Sequence, residues 1–161
     1  MNQRSSTVCL LMLSFILALG ACGDHKPPPT ASKPAPEKKH DCDDTHGTPA
    51  GPPIELGTGP CGTFTVKAMR DHFPIKAGCD APIDAWVTGG SDKVSAVRFW
   101  VGTEDAKGSI KARAEIENPL DPDHWHTHAE IPDPIPQGSK IWIEVEAKGG
   151  AKSACSFAMK E

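Results

Sequence analysis

Residues 109–132 read SIKARAEIENPLDPDHWHTHAEIP, and their pattern decides the fold. Ile110, Ala112, Ala114 and Ile116 alternate with Lys111, Arg113, Glu115 and Glu117. After the turn-forming NPLDPD, Trp125, Thr127, Ala129 and Ile131 alternate with His124, His126, His128 and Glu130. Successive strand side chains point to opposite faces, so each run has one apolar and one polar face. A hairpin between the runs predicts Glu117 opposite His124, Glu115 opposite His126, Arg113 opposite His128 and Lys111 opposite Glu130. The same register sets Ile116 against Trp125 and Ile110 against Ile131 on the inner face. A slip of one residue would turn every side chain over, so agreement on both faces supports the pairing.

Working outward, the same alternation recurs in TFTVKAM (63–69), PIDAWVTG (82–89), KVSAVRFWVG (93–102), KIWIEVEA (140–147) and ACSFAMK (154–160). Gly, Pro and Asp separate these runs, and none has a helical period. Seven short strands with turn signals between them predict an all-β, seven-stranded antiparallel sandwich. The pattern resembles immunoglobulin-like and fibronectin-like domains, although the chain has no tyrosine and no antibody-type Cys, Trp, Cys order. That resemblance is architectural and implies no activity.

The N-terminus carries a second resemblance. Arg4 precedes an apolar run from Val8 to Leu19, followed by LGAC at residues 19–22. The run is too short for a membrane span, which needs roughly 20 apolar residues, and fits an export leader. The small residues before Cys22 resemble a bacterial lipobox. That resemblance implies a leader over residues 1–21, cut before a Cys22 that is acylated on sulfur and on its amino group. Two or more acyl chains anchor a protein stably without spanning the bilayer. Gly23 in place of Asp implies sorting to the outer membrane.

Residues 22–60 hold nine of the sixteen prolines and little apolar surface, and they read as a flexible stalk. Residues 61–161 remain for one domain with one core. The formal net charge of −4, one unit more negative once Arg4 leaves, points away from nucleic acid. The expected partners are the membrane, through the anchor, and other envelope proteins.

With Cys9 lost and Cys22 acylated, Cys42, Cys61, Cys79 and Cys155 are left for disulfides. In a seven-stranded sandwich the first and last strands run side by side and parallel. That arrangement would bring Cys61 to Cys155 and leave Cys79 for Cys42. No CxxC spacing supports a thiolate metal site.

The histidines offer a metal site as the alternative function. Residues two apart on a strand lie about 6.5–7 Å from each other, so three rarely converge on one ion. His124 and His126 with Glu115 or Glu117 form the candidate zinc or copper set, while Arg113 opposes a cation near His128. The bland reading is a solvated face whose histidines pair with carboxylates. The primary expectation carries no cofactor.

Enzyme patterns fail one by one. The strand HxH resembles the zinc element of alpha carbonic anhydrases, but the domain is too short and a third histidine is not identifiable. HTHAE with PQG resembles fragments of a cupin motif with the wrong glutamate spacing. An HxHxDH pattern breaks at Ala129, and no GxSxG, phosphate-loop or CxxCH motif occurs. Asp121 and Asp123 beside Pro122 read as turn formers. The expected function is a non-catalytic binding or structural module on a lipid anchor. Alternation turns Arg98, Trp100 and Trp142 outward; the immunoglobulin-like resemblance implies that their two strands are neighbours, and Trp and Arg in one exposed patch would suit a protein interface.

Overall fold

The computed structural model describes Cys42 and residues 51–160. The expected leader, Cys22 and the expected stalk before residue 51, Cys42 apart, lie outside the described residues. Nine strands form: β1 (Ile54–Cys61), β2 (Phe64–Arg70), β3 (Asp80–Gly89), β4 (Val94–Gly102), β5 (Ala112–Arg113), β6 (Glu115–Asn118), β7 (Asp121–Glu130), β8 (Lys140–Ala147) and β9 (Lys152–Phe157). They make two antiparallel sheets, ordered β1-β2-β3-β7-β6 and β5-β4-β8-β9, so the described residues form an all-β sandwich.

Alternation explains most of the interior. Phe64, Val66 and Ala68 of β2, Ile83, Ala85 and Val87 of β3, and Trp125 and Ala129 of β7 face Val97, Phe99 and Val101 of β4 and Ile141, Ile143 and Val145 of β8. Burying one such aliphatic or aromatic side chain stabilises by about 1.5–3 kcal/mol, so this layer dominates folding. Between β1 and β2 the chain turns at Gly62, whose φ of 63° favours glycine and where a Cβ would lie 2.0 Å from Ser153 Oγ.

Two expectations about this architecture change. The first sheet begins at Ile54, inside the range read as stalk, with β1 pairing to β2. Only Leu56 and Cys61 of β1 are buried, and a register shift lies between Glu55 and Gly57, so β1 carries no regular alternation. Pro60 is tolerated because β1 is an edge strand.

The run at 109–116 is not one strand. It switches sheets at Ala114, which is buried and donates its N–H to Val97 O at 2.9 Å. Before it, Arg113 pairs with Arg98 of β4; after it, Glu115 pairs with His126 and Ile116 with Trp125. The expected register therefore holds at those two positions and ends at the switch. Arg113 does not stand opposite His128 in the ladder, nor Lys111 opposite Glu130. Ile110 and Ile116, expected inside, are 58% and 43% exposed.

The disulfide expectation holds for one pair: Cys42 and Cys79 are bonded, with Cα atoms 5.4 Å apart. Cys61 and Cys155 are unbonded neighbours, each Sγ within reach of Ile143 O at 3.6 and 3.7 Å. They meet for a reason different from the expected parallel pairing. β1 and β9 belong to separate sheets and approach across the gap between them.

Candidate functional site

The outer face of the first sheet gathers the polar aromatic residues. In the β3–β7 ladder, Asp84 is opposite His126, Trp86 opposite His124, and Pro82 opposite His128. Inward positions of both strands are filled by the core, so Asp84, Trp86, His124 and His126 share the outward face. His124 Nε2 lies 2.8 Å from Asp84 Oδ1, and His126 Nδ1 lies 3.0 Å from the same oxygen. An ionised carboxylate only accepts, so both rings donate to it: His124 as its Nε2–H form and His126 as its Nδ1–H form. Trp86 stacks on His124 at 4.2 Å between centroids and 10° between planes, and Lys67 Nζ stands 5.5 Å from the Trp86 centroid. Trp86 Nε1 donates to Asp121 Oδ2 at 3.1 Å, so Asp121 does more than shape a turn. His128 meets His126 edge-on at 5.3 Å.

The structure thus brings His124 and His126 together but supplies a different carboxylate. Glu115 is opposite His126 on the exposed edge strand β6. Glu117 falls where the register shifts between Ile116 and Asn118, so it does not stand opposite His124. Both line an open depression of about 530 Å³ with Arg113, His126 and His128. Among the described residues, no group of three His, Cys, Asp or Glu side chains is placed to hold a metal ion. Asp84 is the residue the sequence reading passed over. Its signal was present in PIDAWVTG, where Asp84 and Trp86 occupy outward positions between Ile83, Ala85 and Val87. Pairing β7 with β3 across forty residues is what local alternation does not supply.

The second candidate surface is not a bare aromatic patch. Trp100 and Trp142 do stack, at 5.8 Å and 9°, on the outer face of the second sheet. Trp100 is 0% exposed, however, because the segment after β4 folds back over it. Its Nε1 donates to Thr103 O at 2.8 Å, Ser109 Oγ donates to Val101 O at 2.7 Å, and Lys111 Nζ sits 4.2 Å from its ring centroid. Trp142 Nε1 donates to Gly102 O at 3.1 Å. Arg98 is tied to Glu146 at 2.7 Å and Glu144 at 3.2 Å. Lys111 and Lys152 complete the network on Glu144, at 2.9 and 3.6 Å. Trp100, expected exposed, is therefore corrected to a buried residue, while Trp142 and Arg98 are half-buried.

That network gives a pH-dependent prediction. Burial pushes the Glu144 pKa up, but Lys111, Lys152 and Arg98 together outweigh it and leave it below its ordinary value. The Arg98 hydrogen bond lowers Glu146 in the same direction. A carboxylate lowered on folding stabilises the native state above its unfolded pKa of about 4.3 and loses that contribution as pH falls through the folded value. Tm followed from pH 6 to 3 is expected to fall less steeply for Glu144→Gln than for the parent. The difference at pH 6 should be at most about 1 kcal/mol for a network that solvent still reaches. Parallel curves would contradict it.

Compared with protein-family models, with curated proteins and with solved structures, the chain gives no significant match. Function is therefore argued from its own residues.

Proposed function

We propose that the chain is a lipid-anchored cell-envelope protein, held to the outer membrane through Cys22, whose sandwich is a non-catalytic binding or structural module. The observation that carries the reading is the Cys42–Cys79 disulfide. Such bonds persist in oxidising compartments, which is where a leader ending in LGAC would deliver the domain. It also fastens the C-terminal part of the Pro-rich stretch to the base of β3, as a tether for a membrane-anchored domain would be. The order β2-β3-β7-β6 against β5-β4-β8-β9 supports an immunoglobulin-like or fibronectin-like sandwich with β1 as an added edge strand. A non-catalytic role is supported by the shared carboxylate of His124 and His126. Both rings are engaged by one carboxylate, and Trp86 stacks on His124 with Lys67 beside it.

Cys22→Ser tests the anchor. In cells fed an alkyne-bearing fatty acid, the parent chain is expected to take up label and to partition into detergent with the outer-membrane fraction. The variant should lose the label to background and leave the processed membrane pool, because a single leader without acyl chains does not hold a protein stably. A parent chain that carries no label, or a variant that labels equally, would overturn the reading.

A further inference from the structure

Cys61 ends β1 at the edge of one sheet, and Cys155 lies in β9 at the edge of the other. Cys155 is opposite Ile143 in the β8–β9 ladder, and both sulfurs converge on the Ile143 carbonyl oxygen, at 3.6 and 3.7 Å. Cys61 Sγ also lies 3.5 Å from Ser153 O. The two thiols are thus neighbours held against one backbone carbonyl. Cys61 is buried, whereas Cys155 is only partly covered. The other cysteines of the same domain are already bonded to each other, so the pair is built to meet the same oxidising surroundings.

We propose that Cys61 and Cys155 are an oxidisable pair that closes a second disulfide, across the two sheets, by exchange with a low-molecular-weight or protein disulfide. The oxidant enters at Cys155, the partly exposed member. The Cys155 thiolate attacks one sulfur of the oxidant, forming a mixed disulfide and expelling one thiolate. Cys61, already against Cys155 Sγ, then attacks that sulfur, forms the internal bond and expels the second thiolate. The two protons given up by Cys61 and Cys155 end on the two leaving thiols; the cysteines lose two electrons and the oxidant gains them. The neighbouring Cys61 and burial hold the Cys155 thiol above its ordinary pKa. Entry at Cys155 is the slow step, and closure by the adjacent Cys61 is intramolecular and fast, so the mixed disulfide does not accumulate.

The full chain, exported by its own leader and extracted in detergent, is incubated with oxidised glutathione, denatured, alkylated and digested. The expected product is a linked Cys61–Cys155 peptide, with the Cys42–Cys79 link unchanged and Cys22 read separately. Cys61→Ser should instead trap glutathione on Cys155, and Cys155→Ser should leave Cys61 unmodified until denaturation. Recovery of both native thiols in alkylated form after exposure, or accumulation of glutathione on Cys155 in the parent chain, would overturn the proposal. Acylation of Cys22 does not enter either outcome, so the result stands apart from the anchor.

Discussion

Trp100→Ala is expected to lower the unfolding free energy by about 3–5 kcal/mol, the range for truncating a buried Trp in a packed site. The side chain is wholly buried, stacked on Trp142 and capped by the Lys111 ammonium. Its removal takes away dispersion contacts, a cation–π contact worth about 0.5–1 kcal/mol and the donor to Thr103 O. In a domain of this size that is a fall in Tm of more than about 10 °C. Urea unfolding followed by circular dichroism gives the number without relying on tryptophan emission. Trp142→Ala, partly buried, should cost less. The result decides between two pictures of this face, because an exposed Trp in a docking patch would change stability by less than about 0.5 kcal/mol.

That contrast shows what alternation reveals and what it does not. A period of two assigns a residue to a face, and it assigned Trp100 correctly to the face opposite Val97, Phe99 and Val101. Whether that face meets water depends on what later folds over it. The cover comes from residues 103–111, an irregular segment whose contacts rest on single hydrogen bonds. Gly102 is part of the device: its φ is 146°, and a Cβ there would lie 2.2 Å from Ser109 Oγ. Such a close return leaves only a glycine as its trace in the sequence.

The hairpin teaches the same lesson along the chain. Glu115 with His126 and Ile116 with Trp125 were legible because β6 and β7 are joined by a short turn, so local pattern and register agree. Beyond Ala114 the alternation continues in the sequence while the hydrogen bonds pass to the other sheet. Nothing in SIKARAEI marks that transfer, since both sheets accept alternating strands. β1 failed the opposite way: Gly57, Gly59 and Pro60 hide a real strand behind the composition of a linker. Of the candidate site, the two histidines were readable and Asp84 was reachable only by knowing that β3 lies beside β7.

Arg70 gives the second large effect. It is the one charged side chain among the buried described residues, 3% exposed at the end of β2. Its guanidinium donates through Nε to Lys160 O at 2.8 Å, through Nη2 to the same oxygen, and through Nη1 to Asp71 O at 2.9 Å and Phe73 O at 2.6 Å. Lys160 in turn donates from Nζ to Glu55 O at 2.7 Å, so the residues after β9 are fastened to both β1 and β2. Arg70→Leu fills part of the volume but takes the charged donor from three carbonyl oxygens; Asp71 O keeps the Phe73 N–H, whereas Phe73 O and Lys160 O lose the guanidinium. At about 1–3 kcal/mol for each of the two acceptors left unsatisfied, and with partial rescue by water at Lys160 O, a loss of about 2–4 kcal/mol is expected. Arg70→Lys retains the charge on one nitrogen, which does not span the fork's geometry, and should recover less than half of that loss. Hydrogen exchange separates this from a general weakening. Amides after Phe157 and at the start of β1 should lose protection in Arg70→Lys at a denaturant concentration where the β3–β7 and β4–β8 ladders remain protected. Uniform loss across both sheets would mean that Arg70 supports the core as a whole and does not latch the C-terminal segment.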